Sequence, residues 1–227
     1  MFFFIGFLIV CGSVLGGYMP HGDVRVLWQP LEVLIIFGSA VGAFIISNPK
    51  HVLTGVLKHF SRVMKGSPHS KDAYIELLTL FYTVFRLAKA KGMLALESHL
   101  DEPEESAIFQ PFPIFLSNHH AVEFMCDYLR LMTMGTENPH ELEALLDEEI
   151  EAHHKEAHDI SHAVTAMSDG LPAFGIVAAV LGVIVTMSSI AEPPEVLGGL
   201  IGAALVGTFL GILLAYGFVG PIGTSLG

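Results

Sequence analysis

Four apolar runs, separated by polar or charged stretches, dominate the pattern of the chain. Two of them lie near its end, at 171–191 and 196–219, and each is long enough to cross a hydrocarbon layer as a helix of about 20 residues. Two shorter runs, at 2–17 and 31–47, open the chain and enclose a polar loop. The pattern predicts an all-α membrane protein with four transmembrane helices and a helical cytoplasmic domain between the second and the third.

The predicted boundaries follow the ends of these runs. A cleaved signal peptide is the alternative reading of the first run, but such a peptide needs basic residues at its start, whereas Met1 is followed directly by three Phe residues. We predict transmembrane helix 1 at 1–17, a periplasmic loop at 18–30, transmembrane helix 2 at 31–48, the cytoplasmic domain at 49–170, transmembrane helix 3 at 171–191, a periplasmic turn at 192–196, transmembrane helix 4 at 197–221 and the start of a truncated cytoplasmic tail at 222–227.

The basic residues predict the orientation. Of 11 Lys and Arg residues, only Arg25 lies in the first loop, and the others lie between Lys50 and Lys155. Cytoplasmic segments carry the excess of basic residues, although the rule is weaker for a segment of this length. The middle segment, and with it both chain ends, is therefore expected on the cytoplasmic side.

Charge and motifs limit the function. The formal net charge of −12 argues against nucleic acid or anionic lipid as a partner. The sequence has no Gly-rich phosphate loop and no Cys-x-x-Cys pair, and neither late run holds a titratable side chain or nucleophile at membrane depth. We therefore expect no enzyme and no cofactor, and if the late helices line an ion path, its ionisable group must come from another chain.

Helical periodicity extends through the middle segment. Apolar residues spaced by three and four predict a helix at 73–96, a second is expected at 122–134, and a third begins at Pro139 and runs towards the membrane. The last of these carries His154, His158 and His162, which either form a zinc site or simply belong to a polar surface. Glycines four apart in the apolar runs predict close helix packing, within the chain or against neighbouring chains.

Several stretches together resemble the MotA family of flagellar stator subunits, within the wider group that includes TolQ and ExbB. The resemblance covers essentially the whole chain. The matching stretches are GGY at 16–18, QPLE at 29–32, KGMLALE at 91–97, DYLRL at 127–131, EALLDEEIE at 143–151, LPAFGIVAAV at 171–180 and VGTFLGILLAYGF at 206–218.

The resemblance implies a flagellar motor stator subunit in the bacterial inner membrane. Such subunits are thought to form a pentameric ring around a MotB dimer, whose aspartate accepts the proton, and to drive the rotor protein FliG. The alternative is a TolQ or ExbB type energiser of a periplasmic or outer-membrane partner, but those proteins have one span before the cytoplasmic domain. Family members continue beyond the last span with a basic tail, so we expect that a chain ending at Gly227 is truncated.

By this resemblance, Thr208 faces the MotB aspartate, although a lone membrane threonine often just bonds its own helix. Pro172 and Pro221 are implied to be conformational elements of the channel, with a first-turn proline and a simple kink as the alternatives. Ala179 matches a threonine of sodium-driven relatives, whose oxygen can help to coordinate the cation. Its methyl group therefore favours protons over sodium.

The rotor contact is also implied by the resemblance. Family members use a basic and an acidic residue eight positions apart, which correspond to Lys89 and Glu97, and Arg86 and Lys91 lie close enough in sequence to share the role. The alternative is a solvated charged face. Lysine keeps the charge of the arginine found in other members but loses its bidentate geometry.

Overall fold

A computed structural model describes residues 2–65, 70–135 and 138–226 of the chain, which in these ranges forms helices and no strand. The helices are α1 (Phe2–Tyr18), α2 (Val24–Leu27), α3 (Pro30–Ser47), α4 (Lys50–Lys65), α5 (Lys71–Lys91), α6 (Glu97–Asp101), α7 (Pro113–Leu116), α8 (His119–Thr133), α9 (Pro139–Ser188), α10 (Pro194–Ile212) and α11 (Gly220–Leu226), with a 3-10 helix at Met93–Leu96 and a π-helix at Leu213–Val219.

The chain divides into two compact units. The terminal unit consists of Met1–Gly66 and His153–Gly227, and the middle unit of Ser67–Ala152. Among the described residues, three helical segments are long and apolar enough to cross a membrane, at Val24–Ser47, Pro139–Ser188 and Pro194–Leu226. The apolar helix α1 is shorter, with 17 residues. The all-α membrane class is thus confirmed, while the fourth span and the exact boundaries stay predictions.

Glycines bring α9 and α10 together in the terminal unit. A Cβ atom added at Gly211 would lie 2.8 Å from the Cα atom of Gly175 and 2.9 Å from the carbonyl oxygen of Leu171, and one added at Gly182 would lie 2.8 Å from the Cβ atom of Ala204. Real Cβ atoms do not approach backbone so closely, so the two helices pack at a distance that only small residues allow. This is how membrane helices associate where lipid supplies no hydrophobic drive.

The middle unit has its own apolar core. The side chains of α5, α8 and the segments between them bury Leu80, Val84, Leu96, Leu100, Phe109, Phe112, Phe115, Val122, Met125, Cys126 and Leu129. Two polar contacts fasten the irregular segment to the helices. The backbone N–H of Phe115 donates to the Glu76 carboxylate at 2.9 Å, and Arg130 donates to the Leu100 carbonyl at 2.6 Å.

Helix α5 ends earlier than the apolar spacing predicts. Gly92 has a φ of +86°, a conformation that residues with a Cβ atom rarely adopt, and it stops the helix at Lys91. The backbone then turns into the 3-10 helix before α6 begins at Glu97. The predicted helix at 73–96 is therefore divided at Gly92, whereas α8 overlaps the helix predicted at 122–134 and α9 begins at Pro139 as predicted.

Candidate functional site

The carboxylate of Glu32 is enclosed between three helices of the terminal unit. Glu32 lies in the first turn of α3, yet it is only 9% exposed. A Cβ atom added at Gly207 of α10 would lie 3.1 Å from its Oε2 atom, 3.3 Å from the Cβ atom of Ala178 and 3.4 Å from the backbone nitrogen of Ala179. The carboxylate therefore lies where α10 crosses α9, at Gly207, and Thr208 is the next residue along α10.

One oxygen of this carboxylate is left without a partner. The Oε2 atom is buried and forms no hydrogen bond, and it is the single buried side-chain oxygen or nitrogen of this kind among the described residues. A buried polar atom without a partner costs about 1–3 kcal/mol, and more when it is charged. Such a cost points to a functional role, because ionisable groups at membrane depth are mostly kept for ion or proton pathways.

Sequence reasoning missed this residue. The apolar runs at 171–191 and 196–219 contain no Asp, Glu, His, Lys or Arg, but the structure brings a carboxylate to them from α3 of the same chain. The signal available in the sequence was an acid within the QPLE stretch at the start of an apolar run. The expectation that the ionisable group must come from another chain is therefore incomplete.

Thr208 lies one residue beyond Gly207 and is half-buried. The hydroxyls of Thr165 and Thr186 donate to carbonyls of their own helix, at 3.0 and 2.8 Å, but Thr208 forms no such bond to any described residue. The common alternative, a threonine bonded to its own helix, therefore does not describe it. Its hydroxyl is available to a group outside the chain.

Ala179 and Pro172 lie on α9 beside the same helix crossing. The backbone nitrogen of Ala179 faces Gly207, and its methyl group supplies no oxygen for a cation. Pro172 is inside α9, not at its first turn, and the carbonyl of its neighbour Leu171 packs against Gly211. The first-turn alternative for Pro172 thus does not fit the structure.

Pro221 lies at the other end of the same helix pair. It follows the π-helix Leu213–Val219 and is exposed, as the second residue of α11. A proline has no N–H to donate and its ring crowds the carbonyl four residues earlier, so a widened turn before it relieves both defects. The structure therefore links Pro221 to a change of helix type.

The charged residues implied in rotor contact lie together in the middle unit. Arg86, Lys89 and Lys91 are exposed on the last two turns of α5, and Glu97 is exposed at the start of α6, beyond the turn at Gly92. In the described part of the chain, none of the four forms an ion pair. Arg86 and Lys91 also border a shallow groove of about 300 Å³ with an apolar floor, lined by Thr83, Leu87, Ala90 and Ile108.

The histidine stripe follows one exposed face of α9. The rings of His158 and His162 stack with their centroids 6.1 Å apart, and His154 precedes them by one turn. Within residues 2–65, 70–135 and 138–226, no group of three metal-ligating side chains is close enough to hold an ion.

Family comparisons cover both halves of the chain. Residues 4–92 match the N-terminal family of motility protein A, and residues 117–226 match the MotA/TolQ/ExbB proton channel family. The chain is 44% identical to motility protein A of Salmonella typhimurium, over all of this chain and 77% of that protein. It is 40% identical to the chemotaxis protein LafT of Vibrio parahaemolyticus, over 98% of this chain and 79% of that protein.

Solved structures show the same fold. The structure of C. jejuni MotAB superposes with a TM-score of 0.79 at 21% identity, covering 99% of this chain and 80% of that one. The flagellar MotAB stator complex of Bacillus subtilis gives a TM-score of 0.76 at 22% identity, covering 98% and 80%. With the matches to both family regions and the 44% identity over its full length, the chain belongs to the motility protein A branch of the MotA/TolQ/ExbB proton channel family.

Proposed function

We propose that the chain is a flagellar stator subunit that forms a proton channel with MotB and couples ion flow to torque on the rotor protein FliG. The observation that carries this proposal is the carboxylate of Glu32, whose buried Oε2 atom has no hydrogen-bond partner and which is held between α3, α9 and α10. Burial of a carboxylate oxygen without a hydrogen-bond partner destabilises the protein, and helices that only span a membrane do not need such a group.

The channel is completed by MotB. The relatives with matching folds are MotAB complexes, and here the apolar runs at 171–191 and 196–219 contain no Asp or Glu of their own. A partner helix whose aspartate approaches Thr208 would find a hydrogen-bond donor there. Glu32 then serves as a second carboxylate, which takes up or releases the proton on the same path.

Several copies of the chain surround that partner. In the single chain, apolar side chains remain exposed along α9, among them Ile176, Val180 and Ile184. Four glycines of α1, α3 and α10 have no atom within 4 Å of an added Cβ, namely Gly12, Gly16, Gly42 and Gly198. These faces suit close contact with lipid and with other helices, and a pentameric ring around a MotB dimer in the bacterial inner membrane, with both chain ends in the cytoplasm, is the assembly we propose.

Torque is transmitted through the charged face of the middle unit. Arg86, Lys89, Lys91 and Glu97 are exposed and unpaired within the described residues, so they are available to complementary charges on FliG. Exposed ion pairs contribute about 0–1 kcal/mol each, so several weak pairs suit a contact that must form and break at every step. We infer no enzymatic activity for the chain.

The alternative in the same family is a TolQ or ExbB type energiser. The match of residues 4–92 to the N-terminal region of motility protein A favours the stator over that alternative. The test expresses the chain in a bacterium that lacks its own motility protein A and asks whether swimming returns, and whether MotB or a TolR-like protein co-purifies. Restored swimming with MotB bound supports the stator, whereas capture of the TolR-like protein without motility would support the energiser.

The rotor face is tested in the same host. Reversing either charge, by Lys89→Glu or Glu97→Lys, should impair swimming while leaving the protein in the membrane, and a compensating reversal on FliG should partly restore it. Lys50→Glu, a reversal in the other unit, is the control for charge alone. Full motility of the double reversal with native FliG would remove Lys89 and Glu97 from the contact.

A further inference from the structure

The π-helix at Leu213–Val219 is held by a side chain of the neighbouring helix. Ser168 of α9 is only 1% exposed, and its Oγ atom donates a hydrogen bond of 2.8 Å to the carbonyl oxygen of Ala215. The same carbonyl accepts the backbone N–H of Gly220, five residues further along, which is the hydrogen bond that defines a π-turn. A carbonyl oxygen has two lone pairs, so both bonds are satisfied together.

The π-turn changes which residues of the last span face α9. Small residues contact α9 with steps of four, four, five and three along the chain, and the step of five falls on the π-turn. These residues are Gly207, Gly211, Ala215, Gly220 and Gly223. An uninterrupted α-helix would instead present Val219, four residues after Ala215, to Ser168.

The packing around Gly220 favours the π register. A Cβ atom added at Gly220 would lie 3.0 Å from the carbonyl oxygen of Ala215 and 3.2 Å from Ser168 Oγ. The branched side chain of Val219 would fit at this place only if these neighbours moved. One extra residue in a turn rotates the following helix by about 100° relative to an α-helical continuation. The turn thus sets the direction of Pro221 relative to Thr208, which lies before it.

We propose that Ser168 is a positioning residue of the proton channel, which holds the π-turn of the last span and thereby fixes Thr208 and Pro221 relative to one another. The inference rests on the proposed stator function and adds to it a residue that touches neither proton nor partner. Pro221 removes one backbone donor from the helix, and the Ser168 hydroxyl supplies a donor from α9 to the same stretch of carbonyls. A second hydroxyl does the same further along, since Ser161 Oγ donates to the Gly223 carbonyl at 2.8 Å.

The test compares Ser168→Ala with Ser188→Ala. Ser188 lies on the same helix but is exposed, and its hydroxyl donates to the Val185 carbonyl of its own helix. Each variant is purified with MotB in lipid nanodiscs, and hydrogen exchange is measured for the amides of residues 218–220. Ser168→Ala should raise their exchange about tenfold, the factor that corresponds to about 1.4 kcal/mol, and Ser188→Ala should leave it unchanged.

Function is measured on tethered cells at equal membrane levels of each variant. Ser168→Ala should rotate at less than about half the speed of the unchanged chain, and Ser168→Thr, which keeps the hydroxyl, should restore most of it. Should Ser168→Thr fail to insert, the exchange and rotation of Ser168→Ala decide. Fast exchange with normal rotation would overturn the positioning role, and slow rotation with normal exchange would overturn the role of the π-turn. If the unchanged chain itself does not restore rotation, the stator proposal fails, while the exchange result still tests the hold of Ser168 on the turn.

Discussion

The burial of Glu32 could not be predicted from its position in the sequence. It follows Gln29 and Pro30 at the start of an apolar run, a position where an acid normally faces water. Only packing reveals that Gly207 leaves room for its carboxylate against α10, because a sequence does not show which helix face meets which neighbour. The resemblance implied a channel role for Thr208, which stays a prediction, but it did not indicate that this hydroxyl, unlike that of Thr186, forms no bond to its own helix.

Replacement of Glu32 by Gln tests whether its charge is used. Glu32→Gln keeps the shape of the side chain but cannot carry a proton, whereas Glu32→Asp keeps the acid. We expect Glu32→Gln to lower proton flux through the complex with MotB about tenfold. That is less than the ~10²–10⁴-fold contributed by an essential acid or base, because the partner aspartate remains. Flux is measured as acidification of vesicles, and equal flux in Glu32→Gln, Glu32→Asp and the unchanged chain would contradict the prediction.

Cys126 should be chemically inert in the folded protein. It is 2% exposed, and burial raises the pKa of its thiol, opposed in part by the guanidinium of Arg130. A raised pKa leaves less of the reactive thiolate at any pH below it. In a Cys11→Ala background, maleimide should label Cys126 at least about tenfold more slowly than a cysteine introduced at the exposed position Met134. Equal labelling rates before denaturation would show that the core of the middle unit opens readily.

Elements were predictable where the pattern is strong and local. The apolar runs and the start of α9 at Pro139 follow from periodicity and proline chemistry, and the chain indeed turns helical there. The end of α5 at Gly92 and the π-helix at Leu213–Val219 depend on a positive φ and on a bond from Ser168, neither of which periodicity records. The tight crossing of α9 and α10 was predictable as a tendency from glycine spacing, but its partners were not.

Gly211 is the position where the crossing of α9 and α10 has least room. Gly211→Ala places a methyl group 2.8 Å from the Cα atom of Gly175 and 2.9 Å from the carbonyl oxygen of Leu171. Because both of these neighbours are backbone atoms, one helix must move. Overpacking of this kind costs about 1–3 kcal/mol. We expect a lower thermal unfolding midpoint in detergent for Gly211→Ala, and no change for Gly198→Ala on the same helix, where nothing lies within 4 Å. An unchanged midpoint in Gly211→Ala would mean that α9 and α10 are packed less closely in the protein than these distances indicate.

At the scale of the whole molecule, the two units carry different parts of the proposed chemistry. The terminal unit holds the carboxylate and hydroxyl of the proposed proton path, and the middle unit exposes the charges proposed for the rotor. The family resemblance predicted this division, and the matches to both family regions confirm the family. The ring and its partners could be inferred only by that resemblance, because apolar faces such as that of Ile176 and Ile184 meet lipid and protein by the same physics.

The last prediction concerns the coupling ion. A sodium ion needs several oxygens to replace its hydration shell, while a proton needs a carboxylate and a hydrogen-bonded path. The crossing offers the Glu32 carboxylate, and Thr208 follows Gly207 on α10. Ala179 adds no oxygen, and Thr186 lies about two helical turns further along α9. We therefore expect rotation to collapse with a protonophore and to be unaffected when potassium replaces sodium at fixed pH. Ala179→Thr adds one oxygen and serves as the comparison, since a gain of sodium dependence in that variant alone would place the selectivity at this crossing. If the swimming speed of cells with the unchanged chain instead follows external sodium, these few oxygens, with those of the partner, suffice to hold the sodium ion.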